Sequence, residues 1–369
     1  MIKKMSKNLP KNVKVYRNQK TQQPTQKEIR QQEVKFDLDD VLLEPSVLSD
    51  ITSRSKVFPR NKRGYLPIFT APMDTVVGTH NHETFLEEGI NVCLPRGQKL
   101  EMEGFNNNTF ISYSLVEFQK RLIDDTLEHD RICIDIANGH MKHLYSVIRN
   151  AKKIHGQNII LMVGNVANPA TYMKLSNAGA DFVRIGIGNG NGCLTTENTG
   201  VGYPMGSLIK DCRVLSHNVK YAAKIVADGG MKSYSDIIKA LALGADYVML
   251  GSILNKSLES AGDNYLFGRF RVNEKLSKWA YKKGLSLYKK FRGMSTKEVQ
   301  KEWGSSNIKT SEGVIRKRKV EYTLHQWAEN FEDYLRSAMS YTNSVYLYDF
   351  IGKTNYNKIT SKSYSRFNK

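Results

Sequence analysis

Eight short apolar runs, each rich in β-branched or aromatic residues, recur between Leu66 and Ser252, and the stretches between them carry helical periodicity. They read LPIFT from Leu66, INVCL from Ile90, TFISYS from Thr109, ICIDIA from Ile132, NIILMVGN from Asn158, DFVRIGI from Asp181, AKIVADGG from Ala223 and DYVMLGS from Asp246. Near-continuous apolar strands alternating with helices are the pattern of a parallel sheet covered on both faces. Eight such units in roughly 190 residues favour a closed (β/α)8 barrel over an open sheet.

Helix signals fall where a barrel needs them. NPATYMKLSNAGA starts with Asn168 as N-cap and Pro169 in the first turn and is expected to end near Gly179. SYSDIIKALALGA carries apolar residues at Ile237, Ile238, Leu241 and Leu243 and stops at Gly244, the pattern of an amphipathic helix with a glycine cap. Both lead into near-identical strand starts, NAGADFVRIG and LALGADYVMLG, an internal echo that two equivalent βα units explain.

The expected organisation is a basic N-terminal arm over residues 1–30, one barrel domain over residues 31–350, and a basic C-terminal tail over residues 351–369. The arm holds nine Lys or Arg and one Glu, and the tail holds five basic residues and no acid. Such ends read as solvated or disordered arms. The net charge of +19 also raises nucleic-acid binding by these arms as a competing class of function. No apolar run reaches the roughly 18 residues that span a bilayer, and the N-terminus lacks the apolar segment of a secretion signal. A cytoplasmic location is expected. The polar, Lys- and Tyr-rich stretch from Asn255 to Gly313 is too long for an ordinary connection, and in barrels such loops carry active sites.

Four cysteines, Cys93, Cys133, Cys193 and Cys212, show no CxxC spacing. Three fit as buried small hydrophobes; Cys193 ends the glycine-rich loop GIGNGNGC. Alternating glycines there suggest a dinucleotide fingerprint, but that motif requires a helix immediately afterwards, and CLTTENTGVGYP is not expected to form a regular one. The loop remains suited to close backbone approach to a ligand or cation. Its cysteine is then a candidate nucleophile at a strand's carboxyl end, with backbone amides available to favour the thiolate; an incidental exposed thiol is the alternative. VADGG (Asp228, Gly229, Gly230) and MLGS (Gly251, Ser252) end the last two strands with glycine turns, the usual phosphate cradle of this architecture.

Taken together, FDLDDVLLEPS, APMDTV, GNV, the glycine loop ending in Cys193, ADGG, MLGS, RGMS and SEG resemble the IMP dehydrogenase and GMP reductase superfamily, in family order over roughly residues 36 to 345. The resemblance implies that Cys193 attacks C2 of a purine nucleotide to give a thioimidate, with Thr195 and Glu312 handling protons. It assigns Asp228 to the ribose hydroxyls and Gly229, Gly230, Gly251 and Ser252 to the 5′-phosphate end. Asn191 falls at a phosphate contact, while Gly293, Met294, Ser295, Lys309, Ser311 and Gly313 would line the base and phosphate. Ser53, Arg54, Arg96, Asp135, Ile136, Ala137, Ile187, Gly188, Ile308 and Lys309 would contact NADPH. Gly188, Gly190, Cys193 and Thr196 would hold a monovalent cation, potassium. A homotetramer is likewise implied.

Between RGMST and SEG the chain has neither Arg nor Tyr, so the family's hydrolytic Arg-Tyr pair is missing, whereas TGVGYP, DIANG and TSRS resemble the reductase branch. No room exists between the second and third strands for tandem regulatory CBS domains. The implied activity is NADPH-dependent reductive deamination of GMP to IMP. Alternatives are a minimal IMP dehydrogenase, converting IMP and NAD to XMP, or a divergent reductase of a deoxy or modified purine nucleotide. Departures from the family include Pro95 and Arg96 in place of a His-Lys pair, Asn191 in place of a serine, and Leu194 in place of a threonine. An arginine, with its pKa above about 12, does not readily give up a proton.

Overall fold

The computed structural model describes residues 34–98, 101, 106–217, 219–302 and 313–367. The chain divides into two units, residues 1–35 and residues 36–369, and the second carries the features below. The expected N-terminal arm lies outside the described residues.

A short strand, β1 (Val41–Leu43), precedes the barrel. Each of the eight apolar runs then forms a strand: β2 (Ile68–Thr70), β3 (Val92–Leu94), β4 (Thr109–Tyr113), β5 (Arg131–Asp135), β6 (Ile160–Val166), β7 (Phe182–Ile185), β8 (Lys224–Asp228) and β9 (Tyr247–Leu250). They form one parallel sheet in the order β2-β9-β8-β7-β6-β5-β4-β3. A parallel bridge between Phe69 and Asn91 joins the two ends: Thr70 N donates to Asn91 O and Asn91 N to Ile68 O, both at 2.9 Å. The sheet is thus a closed (β/α)8 barrel.

Alternation along each strand creates two cores. One face packs on the surrounding helices, as with Val183 and Ile185, while the other fills the barrel with Phe69, Cys93, Phe110, Cys133, Met162, Val226 and Met249. The helices start and stop by the chemistry their ends encode. Asn168 accepts from the amides of Ala170 and Thr171, Pro169 opens the helix Pro169–Ala178, and Gly179 ends it at φ +108°. Ser233 and Asp236 form a capping box on Tyr234–Leu243.

The long polar stretch after β9 is a small folded layer. Strands β10 (Asn264–Leu266), β11 (Phe270–Val272), β12 (Leu287–Arg292) and β13 (Ile315–Lys319) form an antiparallel sheet in the order β11-β10-β12-β13, with the helix Glu274–Lys282 beside it. Tyr288, Lys290 and Arg292 alternate with Leu287, Lys289 and Phe291, which explains why composition alone reads as loop. The C-terminal segment, expected as a solvated arm, is also folded. Strand β14 (Tyr356–Lys358) pairs antiparallel with β1, and the helix Ser361–Phe367 follows. Here the backbone groups of β14 are satisfied by the ladder with β1 in spite of the basic composition. Among the described residues no helix is long and apolar enough to cross a membrane.

Candidate active site

A recess of about 660 Å3 opens at the carboxyl ends of the barrel strands. Its deepest charged group is Arg184, which shares the inward face of β7 with Phe182 and is only 5% exposed. Its Nη1 donates to Asp135 Oδ1 at 2.7 Å, while Nε and Nη2 donate to Asp228 Oδ2 at 3.1 and 2.8 Å. Asn165 Nδ2 donates to the same Asp228 oxygen at 2.8 Å. Burial opposes the charge on Arg184, but the carboxylates of Asp228 and Asp135, aided by the Cys133 thiol, outweigh it and raise its pKa well above the usual value. Arg96 Nε lies 3.5 Å from the other oxygen of Asp135. The last residues of β5 and β8 are therefore held by one cation, whose bonds to Asp228 all fall on Oδ2.

The cysteine loop rises from β7 beside this network. Gly188 has φ +75°, and a Cβ there would lie 1.8 Å from Thr196 Oγ1, so only glycine lets the loop fold back this tightly. Thr196 Oγ1 in turn lies within hydrogen-bond distance of the carbonyls of Ile187 and Val201, at 3.0 and 2.7 Å, and can donate its one proton to either. Cys193 N donates to Gly190 O at 2.9 Å and Cys193 forms an antiparallel bridge with Gly313. The half-buried Cys193 Sγ donates to Thr195 Oγ1 at 3.2 Å. One expectation is corrected here: residues Thr195–Thr199 do form a helix, of five residues, because Glu197 suits its first turn and Gly200 at φ +70° stops it. So short a helix on a barrel strand is not a dinucleotide fold.

Two glycine turns complete the wall. Gly229 lies so close to the cysteine loop that an added Cβ would meet Gly190 N at 2.9 Å. Asn191 Nδ2 donates to Ser252 Oγ at 3.1 Å, joining the cysteine loop to the turn after β9. The antiparallel layer supplies the remaining side: Phe291, Gly293, Met294 and Ser295 face the recess. Arg292 anchors that turn through its guanidinium, bonded to Asp74 and Glu302. Those bonds, Glu302 first, raise its pKa against burial, while the same cation lowers the pKa of Glu302.

The structure brings most of the sequence-read residues together. Asn191, Cys193, Asp228, Gly229, Gly230, Gly251, Ser252, Gly293, Met294 and Ser295 share the recess with Arg96, Asp135, Ile136, Ala137 and Gly190. Thr195 and Gly313 touch Cys193. Ser53 and Arg54 belong to an exposed turn, where Ser53 caps Ser55, and do not line the recess. Ile187, Gly188 and Thr196 pack among themselves under the loop, and Gly190 O accepts from Cys193 N. Ile308, Lys309, Ser311 and Glu312 lie outside the described residues. Among the described residues no group of three or more His, Cys, Asp and Glu is placed to hold a metal ion.

Sequence reading missed Arg184, Asn165 and the Asp74–Arg292 clamp. Arg184 had a signal: a lone arginine on the inward register of an apolar strand must find carboxylates.

Residues 116–366 match the family model described as the IMP dehydrogenase / GMP reductase domain. The chain is 30% identical to GMP reductase 2 of Homo sapiens over 357 residues, covering 89% of this chain and 96% of that protein. It is 29% identical to GMP reductase of Vibrio atlanticus (strain LGP32), covering 92% of this chain and 99% of that one. GMP reductase of Buchnera aphidicola subsp. Acyrthosiphon pisum (strain Tuc7) is 28% identical, with 92% and 98% covered.

Proposed function

The chain belongs to the IMP dehydrogenase/GMP reductase family, and from that premise we propose that it carries out the NADPH-dependent reductive deamination of GMP to IMP and ammonia. It is an oxidoreductase acting on a purine nucleotide with a nicotinamide cofactor. The observation that carries the finer reading is the position of the Cys193 thiol, in the same recess as Asp228 and the Asn191–Ser252 pair and 3.2 Å from the Thr195 hydroxyl.

In this reading Asp228 Oδ1 takes the ribose hydroxyls, its other oxygen being held by Arg184 and Asn165. The phosphate lies against Asn191, Ser252 and the glycine turns. Nucleotide held at both ends presents C2 of the purine to sulfur, so attack becomes effectively unimolecular. Sulfur adds to C2, the C2–N2 bond breaks, and a protonated amine leaves as ammonia; Thr195, bonded to the thiol, and Glu312 pass the protons. Splitting the substitution this way replaces one difficult step by two easier ones. The cofactor, seated by Arg96 and Asp135–Ala137, would supply the hydride that reduces C2 and frees the sulfur as IMP leaves. Arg96 serves as a cation positioned beside Asp135. In the same reading Gly188, Gly190, Cys193 and Thr196 would hold potassium, and a cytoplasmic homotetramer completes the proposal.

The test is direct. Purified protein is mixed with GMP and NADPH, then separately with IMP and NAD, while the absorbance of reduced nicotinamide is followed. Loss of NADPH absorbance with GMP is expected. Formation of NADH with IMP, without NADPH consumption with GMP, would overturn the reading in favour of a dehydrogenase.

A further inference from the structure

The barrel's opposite end carries a second recess, of about 880 Å3. It opens where Pro67 precedes β2, Lys224 begins β8 and Asp246 precedes β9. These are the strand ends remote from Cys193, so it is no extension of the catalytic recess.

Its first feature is a stack of three aromatic rings. Phe58 and Tyr346 lie 5.4 Å apart at 18°, and Tyr346 and Tyr348 lie 5.3 Å apart at 7°. The backbone sets the stack: Phe58 and Tyr346 form a parallel bridge, with Phe58 N donating to Val345 O at 2.8 Å and Leu347 N to Phe58 O at 3.1 Å. The rings are nonetheless open to solvent, at 53%, 44% and 60% exposure. Contiguous exposed rings held in parallel mark a surface that meets something flat and apolar. Lys353 Nζ sits 5.7 Å from the Tyr348 centroid, which leaves Phe58 as the available end of the stack.

The second feature is a fixed surplus of positive charge. Arg60, Lys62, Arg213, Lys224, Arg336 and Lys353 line the recess against Asp246 and Glu332, and Asp349 pairs with Lys353 at 3.4 Å, a balance of six less three, or +3. Asp246 is shared by Arg213 at 3.1 Å and Lys224 at 3.4 Å, and Glu332 by Arg60 at 2.7 Å and Arg336 at 2.5 Å. Each of these two carboxylates orients two cations and neutralises one. The rim is therefore positive and positioned, which is what a cluster of phosphate oxygens requires.

We propose that this recess is a second, non-catalytic site for a nucleoside polyphosphate, with the base on Phe58 and the phosphates among Arg60, Lys62 and Arg213. Its volume suits one such ligand, small-molecule sites running roughly 300 to 1,000 Å3. A single-stranded nucleic acid fits less well, because it needs a basic groove that continues past the first base. Here the helix Leu324–Tyr341, carrying Glu332 and Arg336, forms one wall of the cavity.

The test uses the full chain irradiated with 8-azido-ATP, followed by peptide mapping. Adducts are expected on the peptides containing Phe58–Lys62 or Tyr346–Lys353, with or without others in the catalytic recess. They should be competed by ATP and fall at least tenfold in Phe58→Ala and in Lys62→Glu, the latter an exposed change whose unaltered melting curve excludes misfolding. Adducts confined to the catalytic recess, or labelling unchanged in Lys62→Glu, would overturn the proposal. So would an oligodeoxythymidylate that displaces the probe at lower concentration than ATP, which would make the face a nucleic-acid surface.

Discussion

Two nitrogens of Arg184 converge on a single oxygen of Asp228, at 3.1 and 2.8 Å, while the third reaches Asp135 at 2.7 Å. One buried guanidinium thus holds both carboxylates of the recess in place. Breaking such a pair from one side leaves uncompensated charge and typically costs about 3–5 kcal/mol. Arg184→Met is expected to lower unfolding free energy by about that amount and to weaken nucleotide binding. Arg184→Lys should recover part of the stability and little of the binding, since an ammonium lacks the planar fork that spans both acids. Urea titration and calorimetry of the two variants check this; a stable, tightly binding Met variant would remove the positioning role.

The same residue marks how far the sequence could be read. The eight strands were legible because buried parallel strands leave near-continuous apolar runs, and the helix ends at Asn168, Gly179 and Gly244 because caps need particular residues. Cys193, Asp228 and Ser252 were legible because glycine turns announce backbone approach. Arg184 was passed over as one more charge, because its partners lie 49 and 44 residues away in sequence and meet it only when the barrel closes. The β1–β14 pair escaped for a related reason: a three-residue strand is specified by its partner's free edge, not by its own composition.

Cys193→Ala should abolish turnover and leave nucleotide affinity within about threefold, because the ribose and phosphate contacts proposed above do not involve sulfur. Thr195→Val, which keeps the shape and removes the hydroxyl at 3.2 Å from the thiol, should slow the chemical step by about 10- to 1,000-fold, the range of a lost proton-transfer or hydrogen-bonding group. Calorimetric Kd values alongside single-turnover rates separate the two effects. Normal turnover in Cys193→Ala would end the covalent mechanism.

Asn191 and Ser252 come from different loops and meet through one hydrogen bond of 3.1 Å. If they jointly receive the phosphate, each alanine variant should weaken binding of the 5′-nucleotide by about 1 kcal/mol, the usual net worth of such a bond. The double variant should cost less than the sum, with a coupling of about 0.5–1 kcal/mol. The corresponding nucleoside, which has no phosphate, should bind all three variants equally well. Equal losses for nucleoside and nucleotide would place the pair elsewhere on the ligand.

Lys289 on β12 is 3% exposed and donates to Ser260 O at 2.5 Å. Burial pushes its pKa down to about 8, the carboxylates of Glu259 and Glu274 opposing that shift only in part. The folded chain therefore releases this proton more readily than the unfolded chain, whose lysines titrate near 10.4. Below pH 8 the charge is present in both states and the full burial penalty, of order 3 kcal/mol, is felt. Between pH 8 and about 10.4 the unfolded state binds more proton than the folded one, so this group makes stability rise with pH. Lys289→Met has no such group, so wild type should gain on the variant by up to that amount between pH 7.5 and 10, as read by urea unfolding at each pH. Parallel pH profiles for the two proteins would show that Lys289 titrates normally and that water reaches its ammonium.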